Sequence, residues 1–146
     1  MRARLQAVET LLALALGWLL VFVLPFRVLA KLLGHAGPSE NSQGQGASST
    51  HLGIARGLGW RIERLAPRFP GRATCLVRAV AGWLLLRRRG ISSVVRFGVR
   101  RHEGVLEAHA WIRVGETTVL GGEEAQTFAP IADLGGWAGA GGRWRR

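Results

Sequence analysis

The spacing of apolar residues predicts three helices in the first part of the chain. No charged residue occurs from Thr10 to Phe26, and an apolar run of this kind is typical of a helix. A second helix is predicted from about Thr50 to Leu65, where apolar residues recur at helical spacing. A third is predicted from Arg72 to Arg89, because its arginine-rich end and the following Gly90 suit a helix C-terminus. Cys75 lies in or just before the first turn of this third helix.

After Gly90 the pattern changes to alternation, which predicts β-strands. From Val95 to Arg100, large apolar residues alternate with arginine and glycine, as in a strand with one covered face. A second strand is predicted from about Leu106 to Val114, and a third from Thr117 to Leu120 after a Gly-Glu turn. Residues 128–134 are expected only to pack at the edge of the domain. The predicted fold class is therefore α+β, with helices preceding a small antiparallel sheet.

Length and composition divide the chain into one small domain and its extensions. With 146 residues and 15.8 kDa, it has room for a single core. We predict an apolar N-terminal helical arm over 1–33, a flexible Gly/Ser/Gln-rich linker over 34–49, the folded domain over 50–134 and a Gly/Arg-rich tail over 135–146. So short a domain is marginally stable alone, and packing from the arm or from a partner is expected.

The apolar segment from Thr10 to Phe26 has three interpretations, and all three are helical. It is a signal peptide if residues 28–30 form a cleavage site, although Arg27 interrupts the region between the apolar segment and that site. It is a membrane-spanning or membrane-lying helix if the flanking basic residues contact anionic head groups. It is a buried helix if its surface packs on another protein surface. The expected location is the cytoplasm, with membrane association as an addition.

The charge of the chain is strongly positive and is carried almost entirely by arginine. Its 20 Lys+Arg against 9 Asp+Glu give a formal net charge of +11, and Lys31 is the only lysine. The arginines are spread over predicted helix ends and strand edges without a recognised binding motif, so nucleic acid is not the expected partner. An acidic peptide is the favoured partner for this surface, and an acidic membrane is the second.

The single cysteine limits the chemistry of the chain. It excludes an intrachain disulfide, and it excludes structural zinc sites of the Cys₄ or Cys₂His₂ type. The sequence also contains no glycine-rich loop of the kind that cradles phosphates. We therefore expect neither a metal nor a cofactor.

Cys75 and His109 are the strongest candidate pair for catalysis. A helix N-terminus and a neighbouring imidazole each lower the pKa of a cysteine thiol, and the thiolate is the nucleophile. The backbone N–H of a cysteine at a helix start can also hold the oxyanion of a tetrahedral intermediate. The alternative is that Cys75 is an unreactive core residue and His109 an ordinary strand residue. Spacing alone does not decide between these interpretations.

Two stretches of sequence form an ordered combination of motifs. In 72–101, Cys75 opens a helix that stops at Arg-Arg-Arg-Gly and precedes a Val/Phe strand ending in Gly-Val-Arg-Arg. In 107–122, His109 stands within Ala-His-Ala-Trp. Upstream, a Leu-rich helix with an embedded Glu9 precedes a Leu-Pro-Phe-Arg step. In this combination the chain resembles the transglutaminase-like cysteine proteases of lasso peptide biosynthesis, the B2 leader peptidases.

The resemblance implies a papain and transglutaminase-like core and a peptidase that removes the leader from a ribosomally made precursor. By this similarity, Cys75 would be the nucleophile and His109 the general base and then acid, with water resolving the acyl-enzyme. A separate recognition protein, B1, would present the leader. A companion lasso cyclase would then close the released core peptide.

The third catalytic residue is where the sequence departs from the family pattern. The family usually has an aspartate at the end of the strand that follows the histidine, whereas this chain has Gly121-Gly122 there. Glu123 is the first candidate for the role, and Asp133, the only aspartate, is the second. A Cys-His dyad oriented by a backbone carbonyl is the remaining alternative.

Two other function classes compete with the peptidase. One is a non-enzymatic, membrane-associated basic binding protein in which Cys75 belongs to the core. The other is a transglutaminase that transfers the acyl group to an amine. Alkylation of the native thiol distinguishes an enzyme from the first class, and amine incorporation into a glutamine substrate identifies the second.

Overall fold

The computed structural model describes residues 1–34 and 47–135. Its helices are α1 (Arg2–Val23), α2 (Phe26–Leu33), α3 (Ser49–Leu65), α4 (Cys75–Arg88) and the short α5 (Gly122–Ala125). Its strands are β1 (Val94–His102), β2 (Val105–Val114), β3 (Thr117–Leu120) and β4 (Ala129–Leu134), and a 3₁₀ turn, Ala66–Arg68, follows α3. Most of the predicted linker and tail lies outside the described residues.

The strands form one antiparallel sheet in the order β3-β2-β1-β4. β1 and β2 pair along their length, from Val94 opposite Arg113 to His102 opposite Val105. β4 pairs with the other edge of β1, and a register shift between Phe97 and Gly98 interrupts that pairing. The helices and this sheet confirm the predicted α+β class with an apolar N-terminal helix.

One hydrophobic core joins α1, α3, α4 and the sheet. Its largest fully buried apolar side chains are Leu14, Leu29, Leu58, Ile62, Val77, Val80, Leu86, Val95, Ile112 and Val114. Burial of an aliphatic side chain of this size stabilises a fold by roughly 1.5–3 kcal/mol relative to exposure. Because α4 contacts α1, α3 and the sheet, its position is fixed from several sides.

α1 packs against α4 through one face only. The buried residues of that face are Thr10, Ala13, Leu14 and Gly17. A Cβ on Gly17 would lie 3.0 Å from the carbonyl oxygen of Val77, so glycine permits the close approach of the two helices.

An ion pair joins α1 to the C-terminal end of α4. The carboxylate of Glu9 lies 2.8 Å from Nη2 of Arg89 and 3.3 Å from Nη1 of Arg88. The hydrogen bond from Arg89 is the main cause that lowers the pKa of Glu9 below its usual value. Cations at this end of α4 also complement the negative end of the helix dipole.

Some elements differ from the sequence predictions for local reasons. Leu24 is extended before Pro25, so the predicted apolar helix is interrupted between α1 and α2. α3 begins at Ser49, one residue before the predicted Thr50, because Ser48 caps it: the Oγ of Ser48 accepts the N–H of His51 at 3.2 Å. β4 was not predicted as a strand, because residues 128–134 include Pro130 and lack clear alternation.

Candidate active site

Cys75 is the first residue of α4, and its thiol is free and partly exposed. Thr74 is the N-cap, and its Oγ1 accepts a hydrogen bond from the N–H of Val77 at 3.3 Å. The cap explains why the helix begins here and not at Arg72. Helix geometry leaves the N–H groups of Cys75 and Leu76 without an intrahelical acceptor. Cys75 therefore stands at the positive end of the helix dipole.

His109 lies on β2 with its ring against two aromatic rings. The Trp111 ring stacks on it at a centroid distance of 5.7 Å, and the Phe128 ring lies 5.1 Å away. Nε2 of His109 is 3.1 Å from the carbonyl oxygen of Gly121. Since a carbonyl only accepts hydrogen bonds, Nε2 donates, and in the neutral ring Nδ1 is then the unprotonated nitrogen. The imidazole is thus oriented with Nε2 toward the carbonyl of Gly121 and with the unprotonated Nδ1 on the opposite side of the ring.

Gly121, which supplies this carbonyl, has a conformation that glycine alone adopts easily. Its φ is +74°, and a Cβ there would lie 3.1 Å from Cβ of Trp111 and 3.3 Å from the carbonyl oxygen of Ala110. Its N–H donates to Oε1 of Glu63 at 3.1 Å. A carboxylate of α3 therefore fixes the turn that orients His109.

Cys75 and His109 line the same cavity, whose volume is about 650 Å³. Its lining also includes Glu63, Thr74, Arg78, Arg100, Glu107, Gly121, Glu123, Glu124 and Phe128. The predicted nucleophile and the predicted base thus share one opening at the start of α4. The turn at Gly121 forms part of its wall.

The two carboxylates predicted for the third role occupy different places. Glu123 is exposed in α5 and lines the cavity. Asp133 is buried in β4, and its two oxygens accept hydrogen bonds from Nε and Nη2 of Arg96 at 2.7 and 2.8 Å. That hydrogen bonding is also the main cause that raises the pKa of Arg96. Asp133 is not among the residues that line the cavity.

Arg100 supports the aromatic wall behind the imidazole. Its guanidinium lies 4.4 Å from the centroid of Phe128, the ring that contacts His109. Nε of Arg100 donates to Oε2 of Glu107 at 2.6 Å, and Nη1 donates to Oγ1 of Thr127 at 2.7 Å. These contacts hold the guanidinium against the ring, so the wall limits the motion of the imidazole.

Glu63 is the site residue that the sequence did not reveal. Its contact with Gly121 joins positions 58 apart, so no local pattern signals it. The sequence does carry a signal for Gly121 itself, because glycines occupy 121–122 where the resembling family has an aspartate. A glycine offers only backbone groups to the histidine, which agrees with the alternative of a backbone carbonyl as its partner.

The cavity combines a thiol, an oriented imidazole and free N–H groups at a helix start. Within residues 1–34 and 47–135, no three His, Cys, Asp or Glu side chains come together as a metal site requires. Thiol, imidazole and N–H donors are the groups that acyl transfer through a thioester uses.

A comparison with known families covers this site. A family model described as the transglutaminase-like superfamily matches residues 17–133, which include Cys75, His109 and most of the sheet. No curated protein and no solved structure matches the chain. The superfamily includes cysteine peptidases and transglutaminases, and its fold is typically that of a cysteine-dependent enzyme. Since the match covers most of the chain, this protein belongs to the transglutaminase-like superfamily.

Proposed function

We propose that this protein is a cysteine peptidase that removes the leader from a ribosomally synthesised lasso peptide precursor. One observation carries the proposal: Cys75, at the start of α4, and His109, with its Nε2 held by Gly121, line one cavity. Superfamily membership supports the coarser class of cysteine-dependent enzyme. The motifs shared with the B2 leader peptidases support the choice of substrate.

His109 and Cys75 carry out the proposed reaction as base and nucleophile. Nδ1 of His109 takes the thiol proton, and Sγ attacks the carbonyl carbon of the scissile bond. The N–H groups in the first turn of α4 hold the oxyanion. The C–N bond then breaks as the imidazolium gives its proton to the leaving amine, which becomes the N-terminus of the core peptide. Water, deprotonated by His109, hydrolyses the thioester, releases the leader as a carboxylic acid and restores the thiol.

The Gly121 carbonyl takes the orienting role in this proposal. It accepts the hydrogen bond from the Nε2–H group of His109 in both the neutral and the protonated ring, so the orientation persists through the cycle. Glu63 acts through Gly121 as a positioning residue. In this proposal Glu123 lines the cavity but does not orient His109, and the carboxylate of Asp133 forms the ion pair with Arg96.

The proposed partners are the precursor, a leader-binding recognition protein (B1) and the lasso cyclase. The cavity itself contains more glutamates than arginines, so arginines outside it would attract an acidic leader. Such attraction weakens as salt is added, because surface charges are screened. The proposed location is the cytoplasm.

Cleavage of the precursor in the presence of the recognition protein tests the proposal. Mass spectrometry should show leader and core peptide with the wild-type chain, and the leader should gain one ¹⁸O atom in H₂¹⁸O. Cys75→Ala and His109→Ala should each lower cleavage by at least about 10³-fold. Leader release by Cys75→Ala at the wild-type rate would contradict the proposal.

An amine-transferring transglutaminase is the second candidate, because the superfamily includes such enzymes and the same thioester serves both. The assay separates them when a primary amine is added. A transglutaminase would attach the amine to a glutamine side chain with loss of ammonia. The peptidase should cleave the backbone and leave glutamines unchanged.

A further inference from the structure

The outer face of α1 carries a continuous row of exposed apolar side chains, here called the outer stripe. It consists of Leu5, Val8, Leu12, Leu16, Leu19 and Val23. Their exposed fractions run from 45% at Leu16 to 65% at Leu12. Successive members are three or four positions apart, so they lie on one side of the helix, away from the face that packs on α4.

α2 adds further exposed apolar residues to the same arm. Phe26, Val28 and Leu32 are exposed, whereas Leu29 and Leu33 are buried in the core. Soluble monomers rarely leave so much apolar surface together in water. The surface of the arm is therefore typical of a segment that contacts an apolar medium.

The charges beside the outer stripe have one sign. Arg2 and Arg4 stand near its beginning, Arg27 and Lys31 follow its end, and all four are exposed. The only acidic residue in 1–34 is Glu9, whose carboxylate is bound by Arg88 and Arg89 at the C-terminal end of α4. An apolar centre with cationic ends is complementary to a bilayer that contains anionic lipid.

We propose that the outer stripe inserts into the head-group region of an anionic membrane while α1 lies parallel to the surface. By length and composition alone α1 could cross a membrane. Spanning would, however, detach Glu9 from its arginines and expose the buried Thr10 and the core beneath it. In-plane insertion to about 5–10 Å keeps these contacts and covers the stripe.

Sedimentation with lipid vesicles tests this docking independently of any peptidase activity. The full chain is mixed with vesicles of phosphatidylcholine and phosphatidylglycerol, or with vesicles of phosphatidylcholine alone. The partition coefficient should be at least about tenfold higher for the anionic vesicles at low salt. Raising the salt from about 0.1 M to about 0.5 M should weaken that preference several-fold, because the Debye length shortens.

A variant of the stripe isolates its apolar contribution. The triple substitution Leu12→Gln, Leu16→Gln and Leu19→Gln should lower the partition coefficient at least about 100-fold, since three apolar side chains no longer insert. These side chains are exposed, so the thermal unfolding temperature and the circular dichroism spectrum should stay close to those of the wild type.

The matched control removes three comparably exposed apolar side chains from the sheet, by Val105→Gln, Leu106→Gln and Ile131→Gln. It should bind anionic vesicles as the wild type does. Equal loss of binding in both triple variants, or a wild-type chain that stays in the supernatant, would overturn the proposal. So would a lipid-free dimer by light scattering that only the stripe variant dissociates, because a second copy would then be the occupant.

Discussion

The two edges of the sheet hold their key side chains in different ways. At the edge formed by β2 and β3, a backbone carbonyl and aromatic rings orient His109, which lines the cavity. At the edge formed by β1 and β4, Asp133 is buried in a two-point ion pair with Arg96. The one aspartate of the chain is thus bound in an ion pair, whereas the ring of His109 contacts the main chain. Substitutions at the two edges should therefore have different consequences.

Asp133→Asn should produce the largest effect, and the effect should be on stability. The side chain of Arg96 is 12% exposed and that of Asp133 1%, so the variant leaves a buried guanidinium without its full counter-charge. We expect a loss of about 3 kcal/mol in the free energy of unfolding, measured by denaturant titration. Cleavage per folded molecule should stay within about twofold of the wild type.

The double variant Arg96→Met, Asp133→Leu provides the control. Replacing both charges with apolar groups should recover at least half of the lost stability. A stable Asp133→Asn protein that no longer cleaves the precursor would assign this aspartate to the catalytic machinery instead.

Gly121→Ala should produce the next largest effect, and this one should be on catalysis. A Cβ at this position would lie 3.4 Å from Nε2 of His109 and close to Trp111, on a backbone with φ of +74°. The turn must move, so we expect kcat/KM for precursor cleavage to fall about 100-fold. Gly122→Ala is the matched control, because its Cβ would meet only Thr118 Cγ2 at 3.3 Å and Thr118 Cβ at 3.7 Å. Equal activities of the two variants would contradict the orienting role of Gly121.

Glu63→Ala should have a smaller effect, because it removes the hydrogen bond to the N–H of Gly121 but adds no atom to the turn. We expect kcat to fall about tenfold while KM stays near the wild-type value, and Glu63→Gln should restore part of the rate through its own acceptor oxygen. The control is Glu123→Gln, which changes another glutamate of the cavity and should alter kcat/KM less than about twofold. A large loss in Glu123→Gln with none in Glu63→Ala would make Glu123 the orienting residue.

The local parts of this fold were readable from the sequence. The change from helical spacing to alternation near Gly90 located α4 and the first three strands. Caps and turns follow short-range rules, so errors at helix starts were of a few residues. Cys75 and His109 were candidates because a helix start and a nearby imidazole both favour a reactive thiolate, and the resemblance to a known family selected them.

The contacts between distant segments could not be read in the same way. Arg96 and Asp133 are 37 positions apart and meet only because β4 returns to pair with β1. Glu63 reaches Gly121 only because α3 packs beside β3. Sequence spacing carries no record of such pairings, so it gives no sign that Glu63 contacts the turn beside His109.

Alkylation of the native thiol tests most directly whether Cys75 and His109 act as a pair. The chain has one cysteine, so the mass gained from iodoacetamide reports that sulfur alone. At a pH of about 7 the folded wild type should react at least about tenfold faster than His109→Asn, while both react alike after unfolding. Equal rates in the two folded proteins would contradict the account.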